Sequence, residues 1–489
     1  MEEQKPVKVL LLLQRPEAWV NFASLWHCLS AHKDIEPTLW VLPYNYESHE
    51  QSAIKKPLIR KLLSNSSIPY HEWSEGEYIS SNQFDFVIFN HPYDRERPSS
   101  LWVDKVKQVV PRIIYIPYGL VMGGGYKNMR LQFGQSTQVL ASAVIARSVH
   151  EKKLYSRYCP VGSGNVYVLG QPRFDQVIKE MARPVPKLYE EAAAGRLCIL
   201  WNSHFSFGRI HSQSSNFSTF DLLGPEIIEL ALAMREQLCL LWRPHPGLFP
   251  AIVREGLLYE SDIPILRSEL ADVGIILDEN PDHLAAFKLS DALLTDVGSF
   301  LLEYLVTGRP ILSLLNPEGE PLNPESRKLI EYYDRASDPS DVKRFIERLL
   351  SRENNALGLK QARSQHLPLL DGRSSERVVA LMLALHSGED AGVLSDPSTE
   401  ADMVLVDKSF DIPAVGNQCE QVVEEDKEDI EMPPTLARLL SGLRALRDFK
   451  KNESVWKKRG RRVVNQARIF SVERVKRSLL LMRIMRNFR

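Results

Sequence analysis

The stretch LLTDVGSFLLEYLVTGRPIL, residues 293–312, reads as a strand, a tight turn at Asp296 to Gly298, a helix opened by Ser299, and the start of another strand. A strand, helix and strand in so short a span form the unit of a parallel sheet. The alternation runs outward in both directions. Upstream, LCILWN, LCLLWRPHP and VGIILD are apolar runs ending in polar or turn residues, and RPILSLL continues the series downstream. Nearer the amino terminus, VKVLLLL, PTLWVLP, FDFVIFN, RIIYIP, ASAVIA and NVYVLG make an earlier series, separated by a helical, alanine-rich stretch near 180–195. The expected fold class is α/β, with two Rossmann-like domains at residues 1–180 and 196–387. No internal repeat of short period is present, which excludes solenoids and propellers.

Open parallel sheets hold ligands outside the carboxyl ends of their strands, and in a tandem pair those ends face each other across a cleft. His91, Tyr118, His204 and His245 each follow an apolar run, so they are expected at the cleft. In LLWRPHPGLFP, residues 240–250, Pro244 and Pro246 hold Arg243 and His245 extended. The structural alternative is a turn whose arginine pairs with a carboxylate. In the 293–312 segment the first helical turn after Gly298 favours an anion, and Gly298 lets a ligand approach the backbone. Glu303, one turn after Ser299 and on the same face, is placed to accept hydrogen bonds from ribose hydroxyls. The alternative for Asp296 and Ser299 is capping of their own helix.

With 489 residues, 44% hydrophobic and 25% charged, the chain has length for two domains and a tail. Cys28, Cys159, Cys198, Cys239 and Cys419 are odd in number and unclustered, without zinc spacing, so a reducing, cytosolic compartment is expected. MEEQKPVKVLLLL begins acidic, and its apolar run is too short for a signal peptide or a membrane span. Charge is concentrated at the far end. Residues 389–431 carry fourteen acidic side chains against Lys408 and Lys427, near −12, and read as a disordered linker over 388–434. Residues 435–489 carry seventeen Lys and Arg against three acids, near +14, in a basic helical tail. Its apolar stripe shifts from Val472, Val475, Leu479 and Met482 to Leu481, Met485 and Phe488, as for two short interfacial segments. The tail is expected on an anionic membrane surface, the alternative being that it folds back on the acidic linker. Nucleic acid is not an expected partner, because few aromatic residues beyond Trp456, Phe470 and Phe488 interleave the basic ones.

Four separated stretches together resemble the CDP-glycerol glycerophosphotransferase family, enzymes of teichoic-acid and related polymer synthesis with the two-domain GT-B fold. They are GQPRFD at 170–175, RPHP at 243–246, the 293–312 segment, and DGRSSERVV at 371–379. The resemblance implies that His245 is the essential histidine of the nucleotide domain, that Arg243 and Ser299 contact the diphosphate, and that Glu303 contacts ribose. Asp296 and Gly298 belong to the same candidate site. Arg173 either binds phosphate or ties the domains by a salt bridge. The implied reaction is in-line attack by an acceptor hydroxyl on the β-phosphorus of a CDP-linked polyol, releasing CMP. The expected acceptor is lipid-linked or a glycan, and the enzyme is expected to be peripheral at the inner face of the cell membrane. No cofactor is implied, and no DxD pair or carboxylate cluster at a strand end calls for a metal. Two departures stand out. IYIPYGL puts Tyr118 where the family has a second histidine, and a phenol of pKa about 10 is a poor base, so the general base is open among His91, His204 and Tyr118. DVGS replaces a tyrosine and a serine pair. A GT-B glycosyltransferase using a nucleotide sugar and a non-catalytic nucleotide-binding homologue remain alternatives.

Overall fold

The first series builds a seven-stranded sheet from β1 (Val7–Leu13), β2 (Ile35–Val41), β3 (His71–Glu72), β4 (Phe86–Phe89), β5 (Arg112–Tyr115), β6 (Ala143–Ala146) and β7 (Val166–Val168). The second builds a six-stranded sheet from β8 (Leu197–Asn202), β9 (Leu238–Trp242), β10 (Ile276–Leu277), β11 (Ala292–Thr295), β12 (Ile311–Leu314) and β13 (Asp334–Ala336). The strand orders are β3-β2-β1-β4-β5-β6-β7 and β10-β9-β8-β11-β12-β13, and every pairing is parallel. The computed structural model describes residues 5–43, 49–185, 187–208, 216–280, 283–352, 356–389, 432–448 and 450. Side chains alternate across each strand, so Val9, Leu11 and Leu13 enter one core while Leu10 and Leu12 enter the core on the opposite face. That is why β1 reads as an unbroken apolar run. β3 and β13 are short edge strands made of His-Glu and Asp-Arg-Ala; they carry no apolar run and are invisible to a hydrophobicity pattern.

Two expectations of domain extent change. The helix Ser374–Ser387 does not complete the second domain. Its Val378, Leu381 and Met382 join the core formed by Leu25, Leu29 and Ile145 of the first. An amphipathic stripe says that a helix buries a face, not whose core it enters.

The tail is also not wholly separate, because residues 434–448 form a helix docked on the second domain. Leu436, Leu439, Leu440, Leu443 and Leu446 are buried among Ile228, Leu258 and Leu270. The amides of Thr435 and Leu436 donate to the Glu269 carboxylate at 3.1 and 2.8 Å, capping the helix. Arg438 pairs with Asp262, Arg444 with Glu229, Arg447 with Glu226 at 2.6 Å, and Lys450 with the buried Asp221 at 2.5 Å. These charges are neutralised by the domain itself. The rest of the tail, with the stripes at 472–488, and the acidic linker lie outside the described residues, apart from the ends of the linker.

Leu443→Ala removes a side chain with no solvent exposure and is expected to destabilise the second domain by about 2–5 kcal/mol. Chemical denaturation checks this; an unchanged midpoint would show that the helix does not dock.

Candidate active site

Strand order reverses between β1 and β4 in the first sheet and between β8 and β11 in the second, and at such points a crevice opens beyond the strand ends. Arg15 and His91 follow β1 and β4; His204 and Asp296 follow β8 and β11.

In the second domain the backbone beyond β9 stays extended. Arg243 and His245 donate their amides to the carbonyls of Trp201 and Ser203, at 2.8 and 2.9 Å. Pro244, which has no N–H, falls at the position between those two donors, so it interrupts no bond to β8. The His245 ring is exposed, and its Nδ1 accepts the Gly247 amide at 3.0 Å. In His204, Nδ1 lies 2.8 Å from Ser206 Oγ and accepts the Ser206 amide at 3.2 Å. These bonds assign the ring proton to Nε2 in each neutral imidazole. Burial, then the neighbouring His245, pull the His204 pKa down to about 3, so it is neutral at physiological pH. Phe205 lies 4.5 Å from both rings, and the imidazoles are 5.4 Å apart.

Arg243 turns away from this pair. Its guanidinium donates to Asp278 and to the Asn280 carbonyl, both at 2.6 Å, which is the structural alternative for an arginine in this motif. Asp296 is likewise turned inward. Its carboxylate accepts from the His204 amide, Ser218 Oγ, the Thr219 amide and Thr219 Oγ1, at 2.6–3.2 Å, and burial still lifts its pKa to about 6. It positions the His204 loop instead of facing a ligand. Ser299 does not cap its helix, which runs only from Phe300 to Glu303 before tightening into a 3-10 turn, so the dipole is smaller than the sequence suggests. Gly298 has no need of positive φ; a Cβ there would meet only the Asp296 carbonyl at 3.9 Å, so the space beside it is open.

Glu303 is buried. Its Oε1 is 2.7 Å from His283 Nε2 and its Oε2 is 3.4 Å from Arg173, which makes the Arg173 contact an ion pair between the domains. Burial alone raises the Glu303 pKa, but Arg173 and then His283 outweigh it and hold the group at about 2. The neighbouring Asp175 accepts the amides of Ser374 and Ser375 at 3.0 and 2.7 Å, capping the returning helix. Gly170 has φ of +79°, and a Cβ on it would stand 2.3 Å from Ser374 Oγ. GQPRFD and DGRSSERVV therefore meet where the chain returns to the first domain.

Across the cleft, His91 is buried with Nε2 3.3 Å from Glu96, and burial followed by the charges of Arg97 and Arg15 takes its pKa to about 3. The Tyr118 ring lies 4.7 Å from it, and burial raises that phenol above its ordinary pKa. Arg15, Tyr93 and His283 join the site without having been singled out from sequence. Arg15 carried a usable signal, since QRP after β1 repeats the arginine and proline that follow β9. Among the described residues no group of three or more His, Cys, Asp or Glu is arranged to hold a metal.

Residues 127–384 match the model of the CDP-glycerol:poly(glycerophosphate) glycerophosphotransferase family, and the chain belongs to that family. Its fold is that of three solved structures. A Listeria monocytogenes protein assigned as a UDP-N-acetylglucosamine 2-epimerase has a TM-score of 0.55 at 14% identity, covering 79% of this chain and 98% of its own. A Methanocaldococcus jannaschii UDP-GlcNAc 2-epimerase, in complex with UDP-GlcNAc and UDP, gives 0.51 at 12%, covering 77% and 99%. A variant of the wall teichoic acid polymerase TagF soaked with CDPG gives 0.51 at 11%, covering 79% and 91%. No curated protein sequence matches the chain.

The depressed Glu303 pKa gives stability that is full above pH 4.5 and is lost as pH falls towards 2. Glu303→Gln is expected to lower stability by about 3–5 kcal/mol at pH 7, by leaving Arg173 and His283 without their carboxylate, and to flatten the pH dependence in that window. Denaturation from pH 7 to 2.5 reads both. A normal melting curve with a weakened affinity for nucleotide would instead make Glu303 a ribose contact.

Proposed function

We propose that this enzyme transfers a polyol phosphate, glycerol phosphate first among candidates, from a CDP-linked donor to a hydroxyl of a poly(glycerophosphate), lipid-linked or glycan acceptor. The acceptor oxygen bonds to the β-phosphorus, the bond from that phosphorus to the bridging oxygen breaks, CMP leaves, and the hydroxyl proton passes to solvent. The reading is carried by the exposed His245, its Nδ1 held by the Gly247 amide, beside a neutral His204 at the ends of β9 and β8. Two N–H donors on a rigid strand extension suit the charge that grows on a transferring phosphate. Ser299 and the open face of Gly298 add contacts at the end of β11. In this proposal Arg243 and Asp296 shape the site from behind, and Arg173 and Glu303 fix the domain spacing.

None of the three groups considered as a base has a pKa near neutrality: His91 and His204 are held near 3, and Tyr118 is raised. Phosphoryl transfer through a loose transition state relies on positioning and electrostatics more than on early proton removal, so a weak base is tolerated. The same observation favours a second reading, a nucleotide-binding homologue without turnover. Incubation with CDP-glycerol, CDP-ribitol and UDP-sugars separates them. CMP release with a new phosphodiester supports transfer, binding without release supports the second reading, and nucleoside diphosphate with a glycoside points to a glycosyltransferase. His245→Ala is expected to slow transfer about a thousandfold with the melting curve unchanged. Activity within about tenfold of the parent would remove His245 from the site.

Among the described residues no helix is long and apolar enough to cross a membrane. We place the enzyme peripherally, at the cytoplasmic face, through the basic residues beyond Lys450. The docked helix makes a chain ending at Lys450 the proper comparison. Full-length protein is expected to sediment with anionic liposomes at low salt and the shortened chain is not, each basic residue contributing about 1 kcal/mol. Equal sedimentation of the two would discard the tail as the anchor.

A further inference from the structure

The loop that leaves Tyr118 crosses to the second domain within a few residues. Gly123 bridges Leu322, the Gly124 amide donates to the Pro321 carbonyl at 2.6 Å, and the Asn323 amide donates to the Met122 carbonyl at 3.1 Å. A Cβ on Gly124 would lie 2.6 Å from the Leu322 carbonyl oxygen, so two backbones are in direct contact here. Beside this seam is a cavity of about 360 Å3, lined by Gly124, Gly125, Tyr126, Tyr158, Arg157 and Arg327 among others. That volume lies within the range of small-ligand sites, roughly 300–1,000 Å3. Phe217 lies near the seam. Its ring lies edge-on to His204 at 6.2 Å and covers Gly123, where a Cβ would come within 2.3 Å of it.

The lining has two guanidinium groups and no carboxylate. Arg157 comes from the helix Val149–Tyr158 of the first domain and Arg327 from the helix Pro324–Leu329 of the second. Among the described residues neither makes an ion pair with a carboxylate, so both guanidinium groups can meet an anion in the cavity. Lys127, Arg130 and Lys328 border the site in sequence, and Glu320 stands beside Gly125 but outside the lining. Both side chains are exposed, Arg157 lying over the Tyr158 ring at 5.4 Å, and two arginines from different elements lining one space can clasp a phosphate oxygen pair.

We propose that this cavity is a subsite for the acceptor chain, holding a backbone phosphodiester of a glycerol phosphate polymer while its terminal hydroxyl reaches the cleft. This rests on the reading of the enzyme as a glycerophosphotransferase. On that reading the donor's diphosphate is met by His204 and His245, so it needs no second anion site. A polymer carries a phosphate in every repeat, and those behind its reacting end have to be accommodated along the seam. Because the two arginines belong to different domains, the bound phosphodiester also draws the domains together.

The test uses the full-length protein and a short, end-labelled glycerol phosphate oligomer, with CDP-glycerol and inorganic phosphate titrated separately. The double variant Arg157→Gln, Arg327→Gln is expected to bind the oligomer at least tenfold more weakly and CDP-glycerol unchanged. The double lysine variant should recover part of the loss, and melting curves confirm that the fold is kept. Undiminished oligomer binding by the glutamine variant, no binding by the parent, or parallel loss of CDP-glycerol would each overturn the proposal. Inorganic phosphate binding as tightly as the oligomer would make this a free-phosphate site and overturn the chain assignment. CMP release by the parent with CDP-glycerol and oligomer is followed separately. Its absence while the oligomer still binds through Arg157 and Arg327 would retire the transferase reading and leave the anion site standing.

Discussion

The start of one helix, Pro172–Met181, holds the two domains in register. Arg173 reaches into the second domain to Glu303, and Asp175 caps the helix Ser374–Ser387 that returns from the second domain to the first. Both carboxylates are buried, so each contact is made in a medium where losing one partner strands the other, at about 3–5 kcal/mol for a broken ion pair. A cleft between two sheets can do chemistry only if its walls keep their spacing. Here that spacing is set by an ion pair and a helix cap within the protein.

The walls differ in electrostatic character. On the second domain, His204 and His245 each have Nδ1 engaged by an amide two residues on, and burial keeps the His204 ring neutral. On the first domain, His91 and Tyr118 are packed together under burial that keeps both uncharged. In the proposed transfer, a site of this kind stabilises a spreading negative charge through dipoles that are already oriented and does not depend on one strong base.

The docked helix at 434–448 connects this chemistry to the tail. Its buried leucines and three ion pairs fasten the chain to the second domain, and Lys450 pairs with Asp221 in the first turn of the helix that follows Ser218 and Thr219. Those two residues hold Asp296, and through it the His204 loop. Lys450, the last described residue, therefore lies on the domain that holds the proposed donor site.

Much was determined locally. Period and punctuation marked eleven of the thirteen strands, because a buried parallel strand has to be apolar on both faces and has to stop in a turn. The same runs placed His91, Tyr118, His204 and His245 at strand ends, since that position is a matter of sequence order alone. What the residues do at those positions was decided by tertiary structure. RPHP placed an arginine and a histidine side by side, yet only the position of Asp278 at the end of β10 turned Arg243 inward and left His245 exposed. Asp296 and Ser299 read as a cap and an anion site, but four donors from two other loops claimed the carboxylate, and the helix proved short. Arg15 became part of the site because β4 inserts beside β1, a pairing that no local pattern encodes. The last helices illustrate the same limit. An amphipathic stripe specifies that a face will be buried, whereas the partner that buries it is chosen by the free surface available once the sheets have formed, and that surface exists only in three dimensions.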